Sequence, residues 1–147
     1  MFFGIDVTNA KEPEVAPHGV YTLQITNVEV NQTEDKNNLE ITLGFTDNPT
    51  FQSLRHWIGL PKKDDPEDKV RIKQLMLRRF LESFHIEFSD QGFDLANFYG
   101  ATATVPVVVE AAQDRAGNIT GRNVNRLNLP RLASEKEAVT FRKSRRA

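Results

Sequence analysis

Cysteine is absent from the 147 residues, so the chain has no disulfides and no thiolate metal site, which fits a reducing interior. Histidine is scarce. His18, His56 and His85 lie far apart without the spacing of a ligand set, and ordinary surface or core roles account for them. No metal and no other cofactor is expected. Apolar runs are short, none nearing the roughly 20 residues of a membrane span. The opening Met1-Phe2-Phe3-Gly4-Ile5-Asp6 lacks the basic start and long apolar stretch of a signal peptide, so a soluble intracellular protein is expected. Gly-rich phosphate loops, nucleophile elbows and HExxH patterns are missing, and helix capping explains the acids Asp64, Asp65, Glu67 and Asp68. An enzyme is not expected.

Net charge is also nearly absent, at −1, which argues against a generic polyanion binder. The average conceals an asymmetry. From Arg131 onward six basic residues (Arg131, Lys136, Arg142, Lys143, Arg145, Arg146) outweigh Glu135 and Glu137, giving +4 and leaving −5 on residues 1–130 out of the total of −1. A basic, flexible tail over 131–147 either adds sequence-independent affinity for phosphates or simply keeps the chain solvated.

What is present is a pattern of strands interrupted once by a helix. Residues 1–18, with Pro13 and Pro17, read as an extended arm that Phe2, Phe3 and Ile5 tack onto the body or a neighbouring subunit. A first strand follows from Val20 to about Val30. Tyr21, Leu23 and Ile25 share a face, but the phase slips at Asn27, so a β-bulge is expected there. The second strand alternates Leu39, Ile41, Leu43 and Phe45 with Glu40, Thr42, Gly44 and Thr46. In the third, Phe51 to about Leu60, the aliphatic row Leu54, Ile58 and Leu60 points inward, which sends Phe51, Arg55 and Trp57 outward. A helix then opens at Asp65 as N-cap with Pro66 at the first helical position. Its row Ile72, Met76, Phe80 and Phe84 is expected to plug one end of a barrel. His85 to Gly92 is a connector, and Phe93 to Tyr99 adds a short helical turn. The fourth strand is Ala101 to Glu110, with Pro106 marking a free edge or a bulge, and the fifth is about Ile119 to Leu129. The order β-β-β-α-β-β over residues 19–130 predicts an all-β, five-stranded Greek-key barrel of the OB type, with its helix between strands three and four.

The segments Ala16-Pro17-His18-Gly19-Val20-Tyr21, Leu39-Glu40-Ile41-Thr42-Leu43, Leu81-Glu82-Ser83-Phe84, Phe98-Tyr99-Gly100-Ala101 and Gly121-Arg122-Asn123-Val124 carry a resemblance. In order and spacing they resemble the OB-fold single-stranded-DNA-binding-like proteins of bacteriophage replication and recombination modules, over roughly residues 15–130. The resemblance implies a protein that coats single-stranded DNA in the cytoplasm of an infected bacterium, with phage or host replication and recombination proteins as partners. Such proteins often end in an acidic recruiting tail; this chain ends in Arg142-Lys143-Ser144-Arg145-Arg146, which departs from that pattern.

Sequence-independent binding of single strands needs aromatic platforms for bases and cations for phosphates. On an OB barrel the strand-two and strand-three face and two flanking loops supply them. The expected nucleic-acid site is therefore Phe51, Arg55 and Trp57 from strand three, beside the small Thr42, Gly44 and Thr46. Lys36 joins from the first loop, Arg115 from the last hairpin, and Arg122 and Arg126 from strand five. The rival reading is a barrel used for protein contact, as a virion component or a regulator of a host enzyme, and a homodimer fits either reading.

Overall fold

Alternation of apolar residues sets the sheet. The computed structural model describes residues 1–10, 12, 14–113 and 116–130, with the backbone alone for residues 120 and 121. Its elements are β1 (Gly19–Gln32), β2 (Asn37–Phe45), β3 (Leu54–Gly59), α1 (Glu67–Ser83), β4 (Phe88–Ser89), β5 (Gly92–Phe93), a 3-10 turn (Leu95–Asn97), β6 (Thr102–Gln113) and β7 (Ile119–Leu127). Five strands form one antiparallel sheet in the order β3-β2-β1-β6-β7, and β4 and β5 make a small separate hairpin that runs from the expected connector into Phe93, where a helical turn was expected to begin.

The phase slip in β1 is a bulge. Ile25 pairs with Leu43 and Asn27 with Thr42, so Thr26 is extra, and its hydroxyl donates to the Thr42 carbonyl at 3.2 Å. That insertion keeps Leu23, Ile25 and Val28 all in the core despite their mixed parity. Beneath the sheet they meet Leu39, Ile41 and Leu43 of β2, Val105 and Val107 of β6, and the helix residues Phe80, Leu81 and Phe84.

The helix departs from expectation at both ends. Pro66 itself is the N-cap, in extended conformation, and no side chain caps the helix. The Asp65 carboxylate accepts instead from Lys73 Nζ at 2.7 Å and from the Lys62 N–H at 2.8 Å. Those two contacts hold its carboxyl below the usual carboxylate range. The four-residue row also splits. Phe80 and Phe84 are buried, with Phe80 stacked on Phe84, His56 and Phe98, whereas Ile72 and Met76 are exposed. A step of four residues advances about 400° around a 3.6-residue helix, so each step drifts roughly 40°. Ile72 therefore lies some 120° from Phe84, and only the last turns can serve as a plug.

In β6 the imino residue is accommodated without a bulge of its own. Pro106 still pairs with Val20 of β1, and its carbonyl accepts from Asn128 N, just past the end of β7. Its missing donor thus falls where the β7 ladder has stopped; the β6 irregularity lies between Ala111 and Gln113 instead. The 3-10 turn is capped by Asp94, whose Oδ1 accepts from the Ala96 N–H at 2.9 Å.

The sheet is not closed into a barrel. Among the described residues no ladder joins β3 to β7, and the arm spans the seam between these edges. Glu14 bridges Phe51 in parallel, donating to the Thr50 carbonyl at 3.2 Å and accepting from Gln52 N at 2.7 Å. On the other side the buried Asn125 of β7 clamps Ala16, with Nδ2 donating to the Ala16 carbonyl at 2.8 Å and Oδ1 accepting from its N–H at 2.9 Å. Tyr21 Oη donates to the Pro17 carbonyl, and the Val109 N–H donates to His18 Nδ1. The expected arm is therefore two things: residues 14–18 belong to the folded body, while Phe2, Phe3 and Ile5 are exposed rather than tacked onto it. The basic tail, residues 131–147, lies outside the described residues. No helix among the described residues is long and apolar enough to cross a membrane.

Candidate nucleic-acid interface

Strand parity places the site. On β3, Leu54 and Ile58 are buried, so Arg55 and Trp57 project to the other side. Trp57 is 45% exposed, so it is not a core residue. From β7 across the seam, the Arg126 guanidinium carbon lies 5.4 Å from the Trp57 ring centroid, a cation–π contact. The open cleft between the two edges has a volume of about 400 Å³ and is lined by Thr42, Ser53, Arg55, Trp57, Val124 and Arg126, among others.

Both arginines already have partners. Arg55 Nη1 is 3.2 Å from Glu40 Oε1, and Arg126 Nε is 3.7 Å from Glu110 Oε2. The Glu110 carboxylate of the second pair is exposed, whereas Glu40 is largely covered, so only the Arg126 pair is close to the surface pairs worth about 0–1 kcal/mol. Below this layer His56 stacks on Phe80. Burial, and then the Arg126 charge, push its pKa down to about 4, so at neutral pH a neutral imidazole lies beneath the cleft.

The remaining expected residues divide. Phe51 does not join the outward row. Its ring packs edge-on against Phe45 at 5.3 Å and Tyr21 at 5.9 Å, half-buried against the core. The β3 ladder begins only at Leu54, so strand parity does not govern Phe51, and the bridge to Glu14 turns it inward. Lys36 is exposed in the β1–β2 turn, where its N–H donates to Thr33 Oγ1. Thr42 faces Arg55 and Asn38 faces Gly59, so Lys36 lies beyond the far end of β3. At about 3.3 Å per residue it is roughly 20 Å from the Arg55 row. Arg122 lines an adjoining groove of about 1100 Å³ with Glu12 and Asn123, and this groove shares Gln52 and Val124 with the cleft. Arg115 lies outside the described residues. Of the small β2 residues, Thr42 lines the cleft, while the open side of Gly44 faces Thr26.

Sequence reasoning missed Gln52, Ser53 and Asn125. The signal for Asn125 was a polar side chain in the inward row of the last strand, which only a specific partner makes tolerable. Among the described residues no three His, Cys, Asp or Glu side chains converge as a metal site. The chemistry on offer is stacking and charge: one flat ring, two cations beside it, and amide and hydroxyl groups on the walls. No protein-family model matches this chain, and no curated protein is found to be similar to it in sequence.

Proposed function

We propose that this chain is an OB-type, non-catalytic protein that binds single-stranded DNA without sequence preference, stacking a base on Trp57 and pairing phosphates with Arg55 and Arg126. The observation that carries the reading is the half-exposed Trp57 set beside Arg126 in the open cleft between β3 and β7. Support for the OB assignment comes from the sheet order, in which β1 pairs with both β2 and β6, and from the helix placed between β3 and β6. The role that goes with it is phage replication or recombination in the cytoplasm of an infected host, alongside phage or host enzymes of those processes.

Trp57 is the only tryptophan, so it reports on its own site. Titration with oligo-dT should quench its emission, with affinity falling as salt rises. Unchanged emission at low salt together with a blank gel shift ends the proposal. One observation favours the rival reading of a protein-contact surface: both cleft arginines are paired with carboxylates, on a body of negative charge. That surface would bind a protein and show no preference for single strands over duplex.

A further inference from the structure

We infer that residues 1–10 are a docking arm by which one copy of this chain holds another, with the outer side of α1 as the receiving surface. The arm is short of cover. Phe2 is 92% exposed, Phe3 70%, Ile5 72% and Val7 68%, all in one stretch of chain. Yet the stretch has local structure. The Ile5 N–H donates to the Phe3 carbonyl, the Thr8 N–H and hydroxyl donate to Asp6 Oδ1, and the Ala10 N–H donates to the Val7 carbonyl. A segment shaped by its own turns but leaving two phenylalanines in water has the form of a ligand for an apolar surface.

The helix supplies a surface of matching chemistry. Ile72 and Met76 sit one turn apart, 59% and 39% exposed, on the side that the drift of the apolar row turns away from the sheet. Lys69, three residues before Ile72, is paired only loosely, with Asp65 at 3.8 Å, and the Arg79 guanidinium reaches Met76 Sδ at 3.8 Å. Asp6, between Ile5 and Val7, carries the charge that complements those two cations. The areas also suit a pair of copies. Reciprocal docking covers four phenylalanines at roughly 150–250 Å² each, or about 600–1,000 Å² before the receiving surface is counted. With that surface included, the contact falls near the ~1,200–2,000 Å² of a stable interface. Residues 14–18 anchor the arm to the body, so residues 1–10 lie outside the sheet and contact with a neighbour requires no unfolding of either copy.

This inference does not depend on the DNA reading, because the arm and the helix stripe lie outside the Trp57 cleft. Sedimentation velocity on the full chain, from low to high micromolar, tests it in the absence of DNA. The wild type should shift from monomer to dimer. The arm variant Phe2→Ser/Phe3→Ser/Ile5→Ser and the helix variant Met76→Glu should each stay monomeric. All the substituted side chains are exposed, so far-UV circular dichroism and Trp57 emission should match the wild type. Mixing the two variants pairs an intact arm with an intact stripe and should restore one of the two contacts, seen as hetero-association. A wild type that is monomeric throughout, an arm variant that still dimerises, a helix variant that still dimerises, or a mixture that stays monomeric would each overturn the inference.

Discussion

Removing the Trp57 ring changes a side chain that borders the cleft and contributes little to the core. Trp57→Ala should therefore weaken oligo-dT binding by about 1–3 kcal/mol, the worth of one stacked base, and leave the urea midpoint nearly unchanged. Phe51→Ala should do the reverse. Its ring closes an aromatic trio with Tyr21 and Phe45, so the substitution should cost about 2–3 kcal/mol of stability, somewhat below the range for a fully buried Phe. Measuring both variants by urea unfolding and gel shift separates the roles. His56 makes a further prediction. Its folded pKa of about 4 lies below the ordinary 6.5, so the unfolded chain takes up the proton first as pH falls. The stability it contributes is complete above pH 6.5 and is lost between 6.5 and 4, by at most on the order of 3 kcal/mol. Urea unfolding of wild type and His56→Gln at pH 7 and near pH 4.5 should show that the advantage of the wild type shrinks at the lower pH. A constant difference would contradict it.

Among elements, the parts legible in the sequence are those governed by local alternation. The bulge in β1 was legible because Ile25 and Val28 cannot both face inward on a regular strand, and β2 because every second residue is apolar. The outward Arg55 and Trp57 follow from the same rule. Elements governed by distant partners were not legible. Phe51 lies before the β3 ladder, where Glu14 decides its direction, and Asp65 gave up its capping role to Lys73 and Lys62. Ile72 and Met76 match the helical period, but drift carries them off the core side. The seam was the largest omission, because a side chain on β7 closes it by clamping the arm's backbone. Asn125→Ala leaves the Ala16 N–H and carbonyl without these partners in a buried site, which should cost about 1–3 kcal/mol. Urea unfolding checks that value. Binding should fall as well, since the clamp sits beside Arg126.

For the whole molecule, the proposed binding of single-stranded DNA has to be reconciled with a net charge of −1. Each phosphate neutralised on a single strand contributes about −0.7 to the slope of log affinity against log salt. Arg55 and Arg126 together account for a slope of roughly −1.4 on that figure. A steeper slope in the full chain would have to come from other cations, and the six basic residues after position 130 are the densest source. Truncation after Pro130 should then flatten the slope toward the two-arginine value; an unchanged slope would make the tail a bystander.

The Asn125 clamp joins Ala16 to a residue 109 positions later. During synthesis at about 5–20 residues per second, Ala16 waits roughly 5–20 s before its partner exists. The arm is thus made well before the strand that locks it and is among the last parts to be locked, because its lock is the most non-local contact at the seam. The order of assembly leaves the neighbourhood of Trp57 open until β7 arrives, and so ties completion of the cleft to completion of the fold.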